Sequence, residues 1–302
     1  MSEPVTAERL RAHVQKLAGE IGERHVFRRR ALDATADYIE GEWRAQGYEV
    51  HRQALTGAGV PCANLEISRT GSVQPDQILL IGAHYDTVRN CPGANDNGSG
   101  VAALIEMTRR FAGLDPARTV RFVAFTNEER PFFATAEQGS MVYAAAARGR
   151  GDDIRLMASL ETMGYYSEAP GSQGYPPLFR FFHPDRGNFL GLVSDLRSRS
   201  AMQTLAAAFR AHADFPLETT ATFRFVPGVT WSDHRSFWRQ GYPAVMVTDT
   251  AFYRYGHYHR RDDTPDKLTY RQFARATEGL VAAFAALAGD VADMMQTPGA
   301  GS

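Results

Sequence analysis

The stretch Ile78 to Gly100, ILLIGAHYDTVRNCPGANDNGSG, constrains the chain more than any other. Ile78 to Gly82 is an unbroken apolar run, the pattern of a strand buried on both faces inside a helix-covered sheet. The run leads into His84-Tyr85-Asp86, and a side-chain period of two sends His84 and Asp86 out on the same side. A loop with Pro92 and Gly93 follows, then Asn95-Asp96-Asn97 and Gly98-Ser99-Gly100. Val101, Leu104, Ile105, Thr108 and Phe111 then recur at helical spacing. A histidine thus ends a strand, and a carboxylate stands just before the next helix. Open α/β sheets bind their ligands at that place.

The rest of the chain repeats this pattern. Thr6–Ile21 and Arg29–Gln46 read as helices, the second closed by Gly47. Tyr48–Leu55 and Ala63–Ser68 read as strands. Val120–Asn127 is a second doubly buried strand, delivering Glu128-Glu129 at its end. Ser140–Ala147 reads as a helix, and Ile154–Leu160 as a third apolar strand, delivering Glu161. Gly164–Pro177 is a loop, Phe179–Phe182 a short strand, and Phe189–Ala213 helical in two pieces. Thr220–Val226 and Ala244–Thr248 are the last strands. Phe252–Asp263 is a Tyr- and His-rich loop, and Tyr270–Met295 a closing amphipathic helix. This alternation predicts a three-layer α/β/α fold, a central, largely parallel mixed sheet of about eight strands flanked by helices. Residues 1–296 form one catalytic domain in this reading, and Gly-rich 297–302 a disordered tail.

Composition removes several classes of function. With 33 basic and 34 acidic side chains among 302 residues, no global field points to nucleic acid or a membrane surface. No stretch approaches the roughly 18 apolar residues of a span. The N-terminus lacks the apolar region of a signal peptide, and Cys62 and Cys91 form no disulfide framework, so a cytoplasmic protein is expected.

Three central strands therefore end in His84, Glu128-Glu129 and Glu161, with Asp96 beside the first. Four carboxylates brought together repel unless a cation compensates them. The histidine favours a zinc-class ion over calcium or magnesium, which take all-oxygen shells. No helical H-E-x-x-H is present, so the site is dispersed. A carboxylate able to bridge two ions is the mark of two-metal hydrolases.

The ordered set His84-x-Asp86, Asn95-Asp96-x-Gly98-Ser99-Gly100, Glu128-Glu129, Glu161-x-Met163-Gly164, Ser232-Asp233-His234 and Tyr258-His259-x3-Asp263-Thr264 resembles the di-zinc aminopeptidase family. That family includes aminopeptidases S and Y and the zinc-dependent glutaminyl cyclases. The resemblance runs from about Arg29 to Leu287. It implies two zinc ions bridged by Asp96, one completed by His84 and Glu161, the other by Glu129 and His259. It makes Glu128 the general base toward a zinc-held water, and Asp86 the carboxylate that orients His84. It also implies a cis peptide at Asp96-Asn97, and a peptide with a free N-terminus as substrate. The alternatives on this scaffold are a single-zinc glutaminyl cyclase and a metal-free binding module.

Two features depart from the family pattern. Glu161 stands where most members carry aspartate, which puts occupancy of its metal in question or offers a basic partner such as Arg235 or Arg260 instead. RPFFATAEQGSMVY after Glu129 is longer than the usual turn, with Phe132 and Phe133 either lining a pocket or packing. Of His257 and His259, the second has the matching distance to Asp263-Thr264. Asp233-His234 is either a hydrogen-bonded pair or a helix cap. Trp231, Phe252, Tyr253 and Tyr255 either line a substrate pocket or pack. Cys91 is a remote candidate for a thiol ligand, and His25, His51, His183 and His212 are read as bystanders.

Overall fold

The computed structural model describes residues 3–289. Seven α-helices and eight strands alternate through them: α1 (Ala7–Val14), α2 (Arg29–Ala45), β1 (His51–Gly57), β2 (Val60–Arg69), β3 (Gln74–His84), α3 (Gly100–Phe111), β4 (Arg118–Phe125), α4 (Gly139–Arg150), β5 (Asp153–Glu161), β6 (Leu190–Asp195), α5 (Arg199–His212), β7 (Leu217–Thr222), α6 (His234–Arg239), β8 (Ala244–Thr248) and α7 (Tyr270–Ala288). The strands form one mixed sheet in the order β1-β2-β4-β3-β5-β8-β6-β7. Parallel pairing joins β4, β3, β5 and β8, and β6 to β7; β1 with β2, β2 with β4, and β6 with β8 run antiparallel.

Two apolar clusters cover the sheet. Leu79, Ile81, Phe122 and Ala158 point to one face, under helices that include α2, α3, α5 and α7. Ile78, Leu80, Val123, Phe125 and Met157 point to the other, under Tyr143 and Ala147 of α4 and Phe237 and Trp238 of α6. The alternation along each strand explains why these runs show no amphipathic period: both faces are buried. The chain leaves β3 to one side for β4, then crosses back for β5. The carboxyl end of β3 is thus the point where the strand order reverses.

The expected architecture holds, with local corrections. Phe189–Ala213 is not helical throughout, because residues 190–195 form β6. Its run Leu-Gly-Leu-Val-Ser-Asp buries residues on both faces, and so carried no strand period for the sequence to show. Phe179–Phe182 is no strand; Phe179–Phe181 is a single tight turn with Phe181 and Phe182 exposed. The strand expected at Thr220–Val226 lies at Leu217–Thr222 instead. The first helix is α-helical only over α1, capped by Thr6, whose Oγ1 accepts from the Arg9 N–H at 3.2 Å, and it continues as a wider turn to Ile21. The stretch of Tyr270–Met295 beyond residue 289 and the tail 297–302 lie outside the described residues. No helix among the described residues is long and apolar enough to cross a membrane.

Candidate metal centre

The sheet's carboxyl edge gathers the predicted residues. His84 ends β3, Glu161 ends β5, and Glu128-Glu129 follow β4 after a sharp turn through Asn127, whose φ is +56°. Asp96 lies on the irregular turn between Gly93 and α3 that contains the expected cis peptide to Asn97. His259 comes from the loop before α7 and itself stands in the left-handed region, at φ +58°.

Asp96 is 2% exposed and faces two groups at once. His84 Nε2 lies 3.2 Å from its Oδ1 and 3.4 Å from Glu161 Oε2. His259 Nε2 lies 2.9 Å from its Oδ2 and 3.2 Å from Glu129 Oε1. Each triad, His84-Asp96-Glu161 and Asp96-Glu129-His259, offers three ligand atoms within 4.8 Å of one another. Donors at about 2.0–2.2 Å around a tetrahedral zinc stand about 3.3–3.6 Å apart, close to the spacings seen. Both oxygens of Asp96 and Oε1 of Glu129 are buried without a hydrogen-bond partner. Leaving carboxylate oxygens buried and unpaired is costly, and a cation on each side of Asp96 removes that cost. The residues fit two zinc-class ions.

The supporting framework is dense. Both oxygens of Asp86 accept from main chain, Oδ1 from the Glu128 N–H at 3.0 Å and Oδ2 from the Glu129 N–H at 3.1 Å. His84 Nδ1 stands nearer the Asp86 main-chain carbonyl, at 3.2 Å, than its carboxylate, at 3.6 Å. Asp86 therefore anchors the Glu-Glu pair more directly than it orients His84. Asp263 accepts from the Asn95 and Asp96 N–H groups at 2.8 and 3.1 Å and from the Tyr255 hydroxyl at 2.7 Å. The Asn97 side chain ties the turn to the end of β5, donating to Leu160 O and accepting from Thr162 N–H. Glu161 accepts from the Ser232 hydroxyl at 2.8 Å, and Ser232 meets Ser159 at 2.8 Å. No arginine or lysine pairs with Glu161 among the described residues, so Arg235 and Arg260 are not its partners.

The electrostatics follow from burial. Burial pushes the Glu161 carboxyl up to about 7 against the pull of His84. It also raises Glu128 well above the usual range, with His84 opposing and Glu129, Glu161 and Asp233 reinforcing. Burial works against the Asp96 charge too, but the two histidines outweigh it and hold that carboxyl low. Glu128 is buried and its carboxylate makes no hydrogen bond among the described residues.

Other candidates fall away. His257 pairs with Asp262 at 2.6 Å, outside the centre. Cys91 is buried 3.9 Å from Asp263 and belongs to neither triad. Asp233 and His234 do not pair: the ring Nε2 lies 2.8 Å from Val229 O, and Asp233 precedes α6 without a capping bond. Phe132 packs against Phe27, and Phe133 lies beneath Arg235. Tyr255 is buried, whereas Trp231, Phe252 and Tyr253 line a cavity. Ser232 and Arg24 were missed as supports. Arg24 is fully buried and donates to the carbonyls of Leu17, Gly22, Tyr85, Pro92 and Gly93. Its only mark in the sequence is a position among ordinary charged residues.

The profile of peptidase family M28 matches residues 64–284, which hold every residue of both triads. The chain belongs to this family. An uncharacterized Escherichia coli protein, YfbL, is 37% identical over 259 residues, covering 83% of this chain and 79% of its own length. A yeast (Saccharomyces cerevisiae) protein named as a probable aminopeptidase is 26% identical over 69% of this chain and 53% of its own. The fold matches the Legionella pneumophila LapA aminopeptidase with a TM-score of 0.75 at 17% identity, over 95% of this chain and 73% of that one. It also matches a Fimbriiglobus ruber glutaminyl cyclase with a TM-score of 0.68 at 20% identity, over 94% and 96%. The chain is thus a peptidase of family M28, and its relatives include a Pyricularia oryzae protein named as a probable zinc metalloprotease.

Proposed function

We propose that the chain is an aminopeptidase that removes N-terminal residues from peptides with two zinc ions. The observation that carries this reading is Asp96, whose two unpaired oxygens each face a separate histidine–carboxylate pair. His84, Asp96 and Glu161 would hold one ion, and Asp96, Glu129 and His259 the other. When bound, the ions would polarise the scissile carbonyl and make the attacking water more acidic. Glu128 takes the proton from that water and passes it to the leaving amine. Burial favours its protonated form, as suits a group that must take up a proton. Asp86 holds the main chain of Glu128 and Glu129, so base and ligand keep a fixed relation. The substrate is a peptide with a free N-terminus.

One-zinc cyclisation of N-terminal glutamine, the chemistry suggested by the cyclase of like fold, needs a single triad, and the second triad is what favours hydrolysis. The test is a panel of aminoacyl amides and short peptides, with and without N-terminal blocking, assayed before and after chelation. The expected result is hydrolysis of unblocked substrates alone, lost on chelation and restored by zinc. Cyclisation of glutaminyl peptides without hydrolysis would select the other reading, and turnover by metal-free protein would overturn both.

A further inference from the structure

Next to the metal centre lies a cleft with about 810 Å³ of empty space, the open solvent at its mouth included. Glu161 ends one side of it, and the opposite end carries Glu218 on the edge strand β7. Register sets the relation between them. Glu161 pairs with Thr248, Thr248 with Gly191, and Gly191 with Glu218, so the four stand in one row across β5, β8, β6 and β7. Residues directly paired across strands point to the same face. The two glutamates therefore rise from one side of the sheet, three strand spacings or about 14 Å apart. Between them Gly191 leaves the floor open: a Cβ there would meet the Thr248 carbonyl at 3.3 Å. The wall is continuous with the metal centre. Tyr258 stacks on His259 with ring centroids 3.9 Å apart, and Phe252 lies 5.9 Å from Tyr258 and 5.2 Å from Trp231.

The far end is polar and anionic. His183 lies beside Glu218, with Nδ1 2.9 Å from Glu218 Oε2 and Nε2 3.3 Å from the Thr220 hydroxyl. A neutral ring satisfies both contacts, donating through Nδ1 and accepting at Nε2 from the hydroxyl. This contact occupies one oxygen of Glu218. Its Oε1 has no partner among the described residues, and the side chain is 35% exposed. No lysine or arginine among the described residues lines the cavity. An apolar trough with a carboxylate oxygen left free at its end matches a long aliphatic stem with a cationic tip.

We infer that this cavity receives the side chain of the substrate's N-terminal residue and selects arginine or lysine through Glu218. The inference rests on the aminopeptidase reading above and names its substrate class. The trough takes the methylenes along Met246, Val193 and the aromatic wall, and the guanidinium or ammonium reaches the free oxygen of Glu218. An acidic side chain meets repulsion there, and a short apolar one leaves the far end to water.

The test compares arginine amide with citrulline amide, its uncharged analogue of nearly equal shape, on the zinc-loaded full chain and its Glu218→Gln variant. Wild type is expected to favour arginine in kcat/KM by at least about tenfold, or roughly 1.4 kcal/mol. The advantage should shrink with salt, as a partly exposed charge pair requires. In Glu218→Gln the ratio should fall to within about twofold. Equal or better use of citrulline by wild type, or a ratio unmoved by the substitution, would overturn the inference. If no unblocked amide is hydrolysed, the aminopeptidase reading falls. Titration calorimetry with the same two amides then still decides the pocket: tighter arginine binding lost in the variant supports it, and equal binding overturns it.

Discussion

Glu128 and Glu129 are neighbours in sequence with opposite expected roles, and only their surroundings separate them. Glu129 points an oxygen that accepts no hydrogen bond at His259, 3.2 Å away, while the Glu128 side chain is buried and makes no hydrogen bond among the described residues. Glu128→Gln should therefore keep its zinc and lose on the order of 10²–10⁴ in kcat, the usual contribution of a general base. Glu129→Gln should lose zinc affinity instead. Metal analysis beside steady-state kinetics checks both, and exchanged phenotypes would move the base by one residue. Glu161 tests the departure from the family pattern. Its carboxylate accepts one hydrogen bond from Ser232, faces His84, and has no lysine or arginine partner among the described residues. Glu161→Ala should remove the weaker of two zinc-binding events and spare the tighter; unchanged affinities would make it a structural carboxylate. The convergence of these side chains was legible in the sequence because strand ends and a resemblance both point to it. Ser232 stood in a recognised motif, yet its role was hidden, since a hydroxyl's partner depends on which strand end it is folded against. His183 carries no local mark of its contact with Glu218, which lies on another strand.

At the scale of elements, the centre depends on how the turn after β3 is clamped. Arg24, from the turn before α2, is wholly buried and holds five carbonyls, those of Pro92 and Gly93 on that turn among them. Burial lowers its pKa only to about 10, so it stays charged at neutral pH. Arg24→Met keeps the bulk but strands those acceptors, at about 1–3 kcal/mol for each one left unsatisfied. The expected loss is at least about 3 kcal/mol, read from urea unfolding, together with weaker zinc binding because Asp96 sits on the same turn. A loss below about 1 kcal/mol would show that water replaces the guanidinium. Doubly buried β3, β4 and β5 were readable from their apolar runs. β6 was not, because its equally apolar run has the length and composition of a buried helix segment. Long-range clamps such as Arg24 leave no period in the sequence at all.

For the whole molecule, zinc binding and folding are coupled, since the folded chain alone brings the triads together. Without metal, burial opposes charge on the histidines, but the surrounding carboxylates win. They raise His84 well above the usual value and His259 to about 11. Folded values above the unfolded 6.5 mean this stabilisation is complete below about pH 6.5 and fades as pH climbs toward 11. Zinc requires both rings deprotonated, so its binding must expel protons across the same window. The rise in Tm on adding zinc should accordingly grow from pH 6 to pH 9, as scanning calorimetry at fixed free zinc would show; a constant or shrinking rise would contradict the proton competition. The bridging role of Asp96 is the claim on which the rest depends, and zinc titration of the stripped protein, beside Asp96→Ala, tests it most directly. The account predicts two zinc equivalents in wild type, with both events lost or severely weakened together in Asp96→Ala. One equivalent in wild type, or a variant that keeps one site at its original affinity, would contradict it.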